Sequence, residues 1–152
     1  DLHSFPTRRS SDLVLMPGDE VSAQIMGGTR YRTPEPGQRM LLVGDPASAP
    51  AMVEAVDAAD ATCRIVVVLQ SGDDSPPLPG REHRLIRVPP EDPAALADAV
   101  QEALGRARPD WAWVALESAA TKSIRRLVES AGVPRRAIQA QAYWIRGRAM
   151  GT

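Results

Sequence analysis

Cysteine, histidine and aromatic residues are all scarce in this chain of 152 residues. The single cysteine, Cys63, cannot form an internal disulfide. It opens an apolar run and reads as a buried structural thiol. Two histidines, His3 and His83, form no cluster with it, so neither a zinc nor an iron–sulfur site is expected. No apolar stretch approaches the roughly 20 residues needed to span a membrane. Basic and acidic residues nearly balance, 18 against 19, giving a net charge of -1. That balance lacks the positive excess expected of a nucleic-acid partner. What is present, 43% apolar and 24% charged residues, belongs to a globular chain of about one domain.

The first 13 residues, DLHSFPTRRSSDL, reverse-translate in frame into the end of a common short-read sequencing adapter. Residues 1–13 therefore read as translated library sequence, expected to be disordered and to pack on nothing, and are set apart from fold reasoning. That removes His3 and the only phenylalanine, Phe5. Residues 14–26 hold a Pro17-Gly18-Asp19 turn, then Val21, Ala23 and Ile25 alternating with Ser22 and Gln24. A period of two predicts a half-exposed strand. Residues 27–37 have the glycine, proline and charge of a linker.

From residue 38 the pattern changes to that of an α/β domain. Residues 40–43 form a short apolar run ending at Gly44-Asp45, a buried strand. Residues 47–58 predict a helix, with Met52, Val53 and Val56 apolar and Pro50 tolerated in the first turn. Residues 64–69 (RIVVVL) are continuous and β-branched, as in a strand of a parallel sheet covered on both faces. Residues 71–80 read as loop, and residues 84–88 as a shorter, more peripheral strand. Residues 93–106 predict an amphipathic helix with Leu96, Val100 and Leu104 at four-residue spacing. Residues 111–116 (WAWVAL) predict a strand. Residues 119–131 predict a helix with Ile124, Leu127 and Val128 on one face, stopped by Gly132 and Pro134. Residues 138–144 predict the last strand. The order β-α-β-β-α-β-α-β implies a Rossmann-like parallel sheet with helices on both faces.

Ligands of such sheets bind beyond the carboxyl ends of the strands. Three strand ends carry candidate residues. After the first strand come Gly44, Asp45 and Ser48, where free N–H groups of the next helix can meet a phosphate. The plain alternative is a strand-to-helix turn capped by Asp45 or Ser48. After the fourth strand come Glu117 and Ser118. The Glu117 carboxylate suits a ribose or carboxamide, or simply the positive end of the following helix. After the last strand come Tyr143 and Trp144, whose faces suit a nicotinamide or flavin ring. Arg146 and Arg148, beyond them, suit an anionic substrate. The plain alternative there is rings in the core and arginines in water. The loops after Val43, Ala115 and Tyr143 are expected to converge on one edge of one sheet and leave a groove there.

These segments, in this order, resemble the C-terminal domain of the siderophore-interacting protein family. That domain has a first strand ending in Gly-Asp-Glu-Thr-Ala, a Trp-x-Trp-hydrophobic-Ala-Gly-Glu strand before an Arg-rich helix, and a final Tyr-Trp-Arg-x-Gly. Here they read Leu42-Val43-Gly44-Asp45-Pro46-Ala47, Trp111-Ala112-Trp113-Val114-Ala115-Leu116-Glu117 with Arg125-Arg126 downstream, and Tyr143-Trp144-Ile145-Arg146-Gly147. Residues 17–21 resemble the closing strand of the family's flavin-binding barrel. The resemblance implies that residues 14–37 are the remnant of a flavin barrel with its linker, and residues 38–152 an NAD(P)H-binding domain of ferredoxin-reductase type. It implies hydride transfer from NADH or NADPH to FAD, held mainly upstream, and electron transfer to a ferric siderophore or other ferric chelate. It implies a cytoplasmic protein, with monomeric state left open. The fragment alone is expected to be inactive.

Three positions depart from the family pattern: Pro46 for an acid, Leu116 for a glycine beside the dinucleotide, and Ile145 for a cation. A leucine at 116 is expected to obstruct the groove. Asp73 and Asp74 favour NADH by repelling a 2′-phosphate, while Arg81 and Arg84 would reverse that preference. His83 reads as a surface loop residue. Two other readings stay open: a degenerate, non-catalytic α/β module used for packing or partner binding, and an unrelated nucleotide-binding regulatory domain.

Overall fold

A computed structural model describes residues 33–72 and 83–148, all within one compact unit, residues 31–152. The predicted strand in residues 14–26, and Asp73, Asp74 and Arg81, lie outside the described residues.

Five strands form one wholly parallel sheet: β1 (Arg39–Gly44), β2 (Arg64–Gln70), β3 (Arg84–Val88), β4 (Trp111–Glu117) and β5 (Ile138–Trp144). Their order across the sheet is β3-β2-β1-β4-β5. Helices α1 (Ala49–Ala58), α2 (Pro93–Arg106) and α3 (Ser118–Ser130) provide the crossovers. The chain runs outward from β1 to β3, then returns to β4 beside β1. The pair β1/β4 is therefore the switch point of a doubly wound sheet, where a crevice opens at the carboxyl ends.

Strand alternation divides the core in two. Leu41 and Val43 of β1, Val68 of β2, and Ala112, Val114 and Leu116 of β4 face α2 and α3. Met40, Leu42, Val67, Trp111 and Trp113 face α1, where they pack on Met52 and Val56. Both faces of β1 and β4 are thus buried, which explains their unbroken apolar runs. β3, predicted to be peripheral, is an edge strand. Cys63 is buried, as expected, and its thiol donates to the Glu35 carbonyl at 3.3 Å.

The helix ends follow local chemistry. Asp92 caps α2 by accepting from Ala95 N–H at 2.9 Å, with Pro93 in the first turn. Gly132 ends α3 at φ 88°, and Val133 N–H returns to the Val128 carbonyl, a left-handed glycine stop. α1 starts at Ala49, two residues later than predicted, because residues 45–48 close on themselves in a hydrogen-bonded turn. A three-residue 3₁₀ turn, Arg135–Ala137, precedes β5 and was not predicted.

Candidate functional site

The turn after β1 is built around Asp45, which is buried. Its Oδ1 accepts from the Ala47 and Ser48 N–H groups at 3.0 and 3.3 Å. Its Oδ2 accepts from the indole N–H of Trp144 at 2.7 Å. Ser48 is fully buried, and its hydroxyl donates to the Asp45 carbonyl and accepts from Asp45 N–H, each at 3.0 Å. Ser48, expected at a cofactor, thus has its hydroxyl engaged within the turn. Gly44 also has an internal reason. A Cβ there would collide with Ser48 Oγ and Met52 Sδ, so the glycine lets α1 seat on β1 and makes no opening toward a ligand.

β4 runs into α3 with no loop between them. Glu117 is the N-cap of α3; its Oε2 accepts from Ala119 N–H at 2.6 Å and Ala120 N–H at 3.2 Å. Oε1 accepts from Arg146 N–H at 3.4 Å. Partial desolvation pushes this carboxyl upward, but the three backbone N–H donors and the Arg146 charge outweigh it, and the net shift is downward. The plain capping reading of Glu117 is thus realised. Ser118 does not reach the cavity wall.

At the end of β5 the two aromatics separate by strand parity. Trp144 turns to the cavity, with the Arg146 guanidinium 5.8 Å from its ring centre. Tyr143 lies on the α1 side, edge-on to Trp113 with ring centres 5.9 Å apart. Tyr143 and Trp144, expected together at a cofactor, are thus placed on different sides, because neighbours in a strand point to opposite faces. Gly147, at φ 75°, turns the chain so that Arg148 N–H meets the Ile145 carbonyl, and Arg148 stays outside the cavity.

The three loops converge as expected on one edge, around a cavity of about 680 Å³. Asp45, Glu117, Trp144 and Arg146 line it; Gly44, Ser48, Ser118, Tyr143 and Arg148 do not. Leu116 does not obstruct it either. Its side chain has no exposed surface and packs toward α2 and α3. Arg84 begins β3, at the other end of the parallel strands, so it cannot reach a 2′-phosphate at this edge.

Sequence reasoning missed the wall contributed by the loop after β3. Glu91 lies there, its Oε1 3.0 Å from Arg146 Nη1 across the cavity mouth. It is the one non-glycine residue at positive φ (59°) among the described residues. Two prolines before it and the α2 cap after it hold it in a conformation that side chains rarely adopt. The rule that ligands gather at strand carboxyl ends would have pointed to this loop.

The cavity volume falls in the usual range for small ligands, ~300–1,000 Å³. The Asp45 and Glu117 carboxylates keep spare acceptor capacity, and Trp144 offers an aromatic surface. These groups fit the hydroxyls, carboxamide and ring of a nicotinamide riboside. A diphosphate finds less: the N–H groups of Ala47 and Ser48, in the turn before α1, are already held by Asp45, the first N–H groups of α3 by Glu117, and Arg146 by Glu91. Among the described residues, no group of His, Cys, Asp and Glu can hold a metal ion.

Comparison with known proteins places these features. The sequence model of the siderophore-interacting protein family matches residues 37–147. The mycobactin import ATP-binding/permease protein IrtA of Mycobacterium tuberculosis is 38% identical over 144 residues. That likeness covers 90% of this chain but only 16% of the importer's length. Among solved structures, a siderophore-interacting protein from Acinetobacter baumannii has a TM-score of 0.67 at 17% identity, over 82% of this chain and 54% of that one. The ferredoxin reductase of carbazole 1,9a-dioxygenase, in an FAD-free form, has a TM-score of 0.53 at 15% identity, over 76% of this chain and 37% of that one. Both share the fold.

Proposed function

The chain belongs to the siderophore-interacting protein family, and from that membership we propose that it is the nicotinamide-nucleotide-binding half of a flavin-dependent reductase acting on ferric siderophores. The carrying observation is the cavity at the β1/β4 switch point, walled by the ends of β1, β4 and β5. In this reading Trp144 receives the nicotinamide ring once Arg146 swings off its face. Glu117 and Asp45 accept hydrogen bonds from the ribose and carboxamide. A bound nicotinamide nucleotide supplies hydride to a flavin held mainly by an upstream domain. Reduction of the chelated iron to Fe(II) then weakens its hold on hard oxygen donors. The likeness to a mycobactin importer supports a siderophore of that kind as substrate, for a protein of which this chain is one part.

A second reading, a non-catalytic packing module, draws on a specific observation: the chain's own carboxylates occupy the N-terminus of α3 and the backbone N–H groups of the turn before α1, where a dinucleotide's phosphates would be met. One experiment separates the two. The complete gene is expressed, its visible spectrum recorded, and ferric-chelate reduction driven with NADH and with NADPH. A yellow protein bleached by either nucleotide, and reoxidised by the ferric chelate, supports the reductase. A yellow protein that neither nucleotide bleaches supports the packing module.

A further inference from the structure

The amino-terminal edge of the sheet, opposite the cavity just described, has a hollow of contrary charge. β1, β2 and β3 each open on an arginine: Arg39, Arg64 and Arg84. Strand alternation sends all three to one face. Arg39 has the parity of Leu41 and Val43, Arg64 that of Val66 and Val68, and Arg84 that of Ile86 and Val88, and these residues all pack on the α2 side. The last residue of α2, Arg106, reaches the same place. The four arginines border a cavity of about 340 Å³, floored by Leu41, Val66 and Ala103.

Negative charge there is insufficient. Glu102 pairs with both Arg84 (3.2 Å) and Arg106 (2.8 Å). The Oδ2 of Asp110 is engaged by the backbone N–H of Arg39 at 2.8 Å. The carboxyl end of α2 adds about half a negative charge. Neither the Arg39 nor the Arg64 guanidinium has an ion-pair partner among the described residues. The two are direct neighbours in the β1–β2 register, where like charges repel. Folding has therefore gathered cations that the described residues do not neutralise.

We propose that this hollow is a binding site for a compact multivalent anion, whose phosphate or carboxylate groups bridge Arg39 and Arg64 and pair with Arg84 and Arg106 at the rim. Guanidinium forks match either group in bidentate geometry. The volume is at the small end of ligand cavities, ~300–1,000 Å³, which suits a diphosphate or a tricarboxylate and excludes a macromolecular surface. The site is at the opposite edge from the nicotinamide cavity and does not depend on that reading.

The test is titration of the purified chain with sodium pyrophosphate and with sodium citrate, followed by calorimetry and thermal unfolding, against sodium chloride at equal ionic strength. At least one of the two anions raises the melting temperature beyond the chloride control, and the tighter binder tells phosphate from carboxylate. In the double variant Arg39→Gln/Arg64→Gln, affinity falls at least about tenfold, since hydrogen bonds to charged groups are lost. Arg125→Gln, on the exposed side of α3, binds as the parent does. Without anion, Arg64→Gln alone raises the melting temperature, because repulsion is relieved. No shift beyond chloride, unchanged affinity in the double variant, or a lower melting temperature for Arg64→Gln without anion would each overturn the proposal. The last would mark the arginines as structural caps of α2.

Discussion

At position 44 the space for a side chain is already taken. Ser48 Oγ and Met52 Sδ lie where a Cβ would be, and the Ala115 carbonyl is 3.4 Å away on the neighbouring strand. Gly44→Ala is expected to cost about 1–3 kcal/mol through overpacking, seen as a drop of several degrees in thermal unfolding. A stability unchanged within error would show that α1 can yield. This glycine was legible in the sequence as special, but its reason was not. A glycine that admits a phosphate and one that admits a helix look alike until the neighbours are known. Leu116 teaches the same lesson in reverse. As a departure from a family glycine it suggested a blocked groove, yet its parity in β4 sends it into the α2/α3 core.

The elements themselves were readable because each carries its own period. Continuous apolar runs mark β1, β2 and β4, and four-residue spacing marks α2. The ends were harder, since they depend on side chains finding backbone groups. Glu117 is such a case: at the junction of β4 and α3 the sequence left open whether it binds or caps, and the hydrogen bonds to Ala119 and Ala120 show that it caps, with acceptor capacity to spare. Its lowered pKa has a consequence for acid stability. A carboxyl whose folded pKa is below its unfolded value contributes stability above the unfolded value, ~4.3 for glutamate, and loses it as pH falls through the folded value. Denaturant melts of Glu117→Gln and the parent are therefore expected to differ near neutrality and to converge as pH falls below the unfolded glutamate value and through the lowered folded one. A gap independent of pH would dissociate the cap from its charge. Because the side chain is only partly buried, solvent screening keeps the effect modest.

At the scale of the whole molecule, charge and shape are sorted by the direction of the strands. All five run the same way. Their carboxyl ends carry the carboxylate-rimmed cavity, and the amino ends of three carry arginines. The two hollows share no lining residue, so ligands at the two edges are expected to act independently. The melting-temperature gains from a nicotinamide nucleotide and from pyrophosphate or citrate, measured singly and together, should add. A combined gain well short of the sum would mean that the anions compete for one place.

The bond between the Trp144 indole and the Asp45 carboxylate joins residues 99 positions apart. A chain emerging from the ribosome can expose β1, β2 and β4 before residue 144 has left the exit tunnel. Until that last tryptophan arrives, one oxygen of Asp45 has no partner from the chain and the rim lacks a side. The rim of that cavity is thus completed after the sheet that carries it.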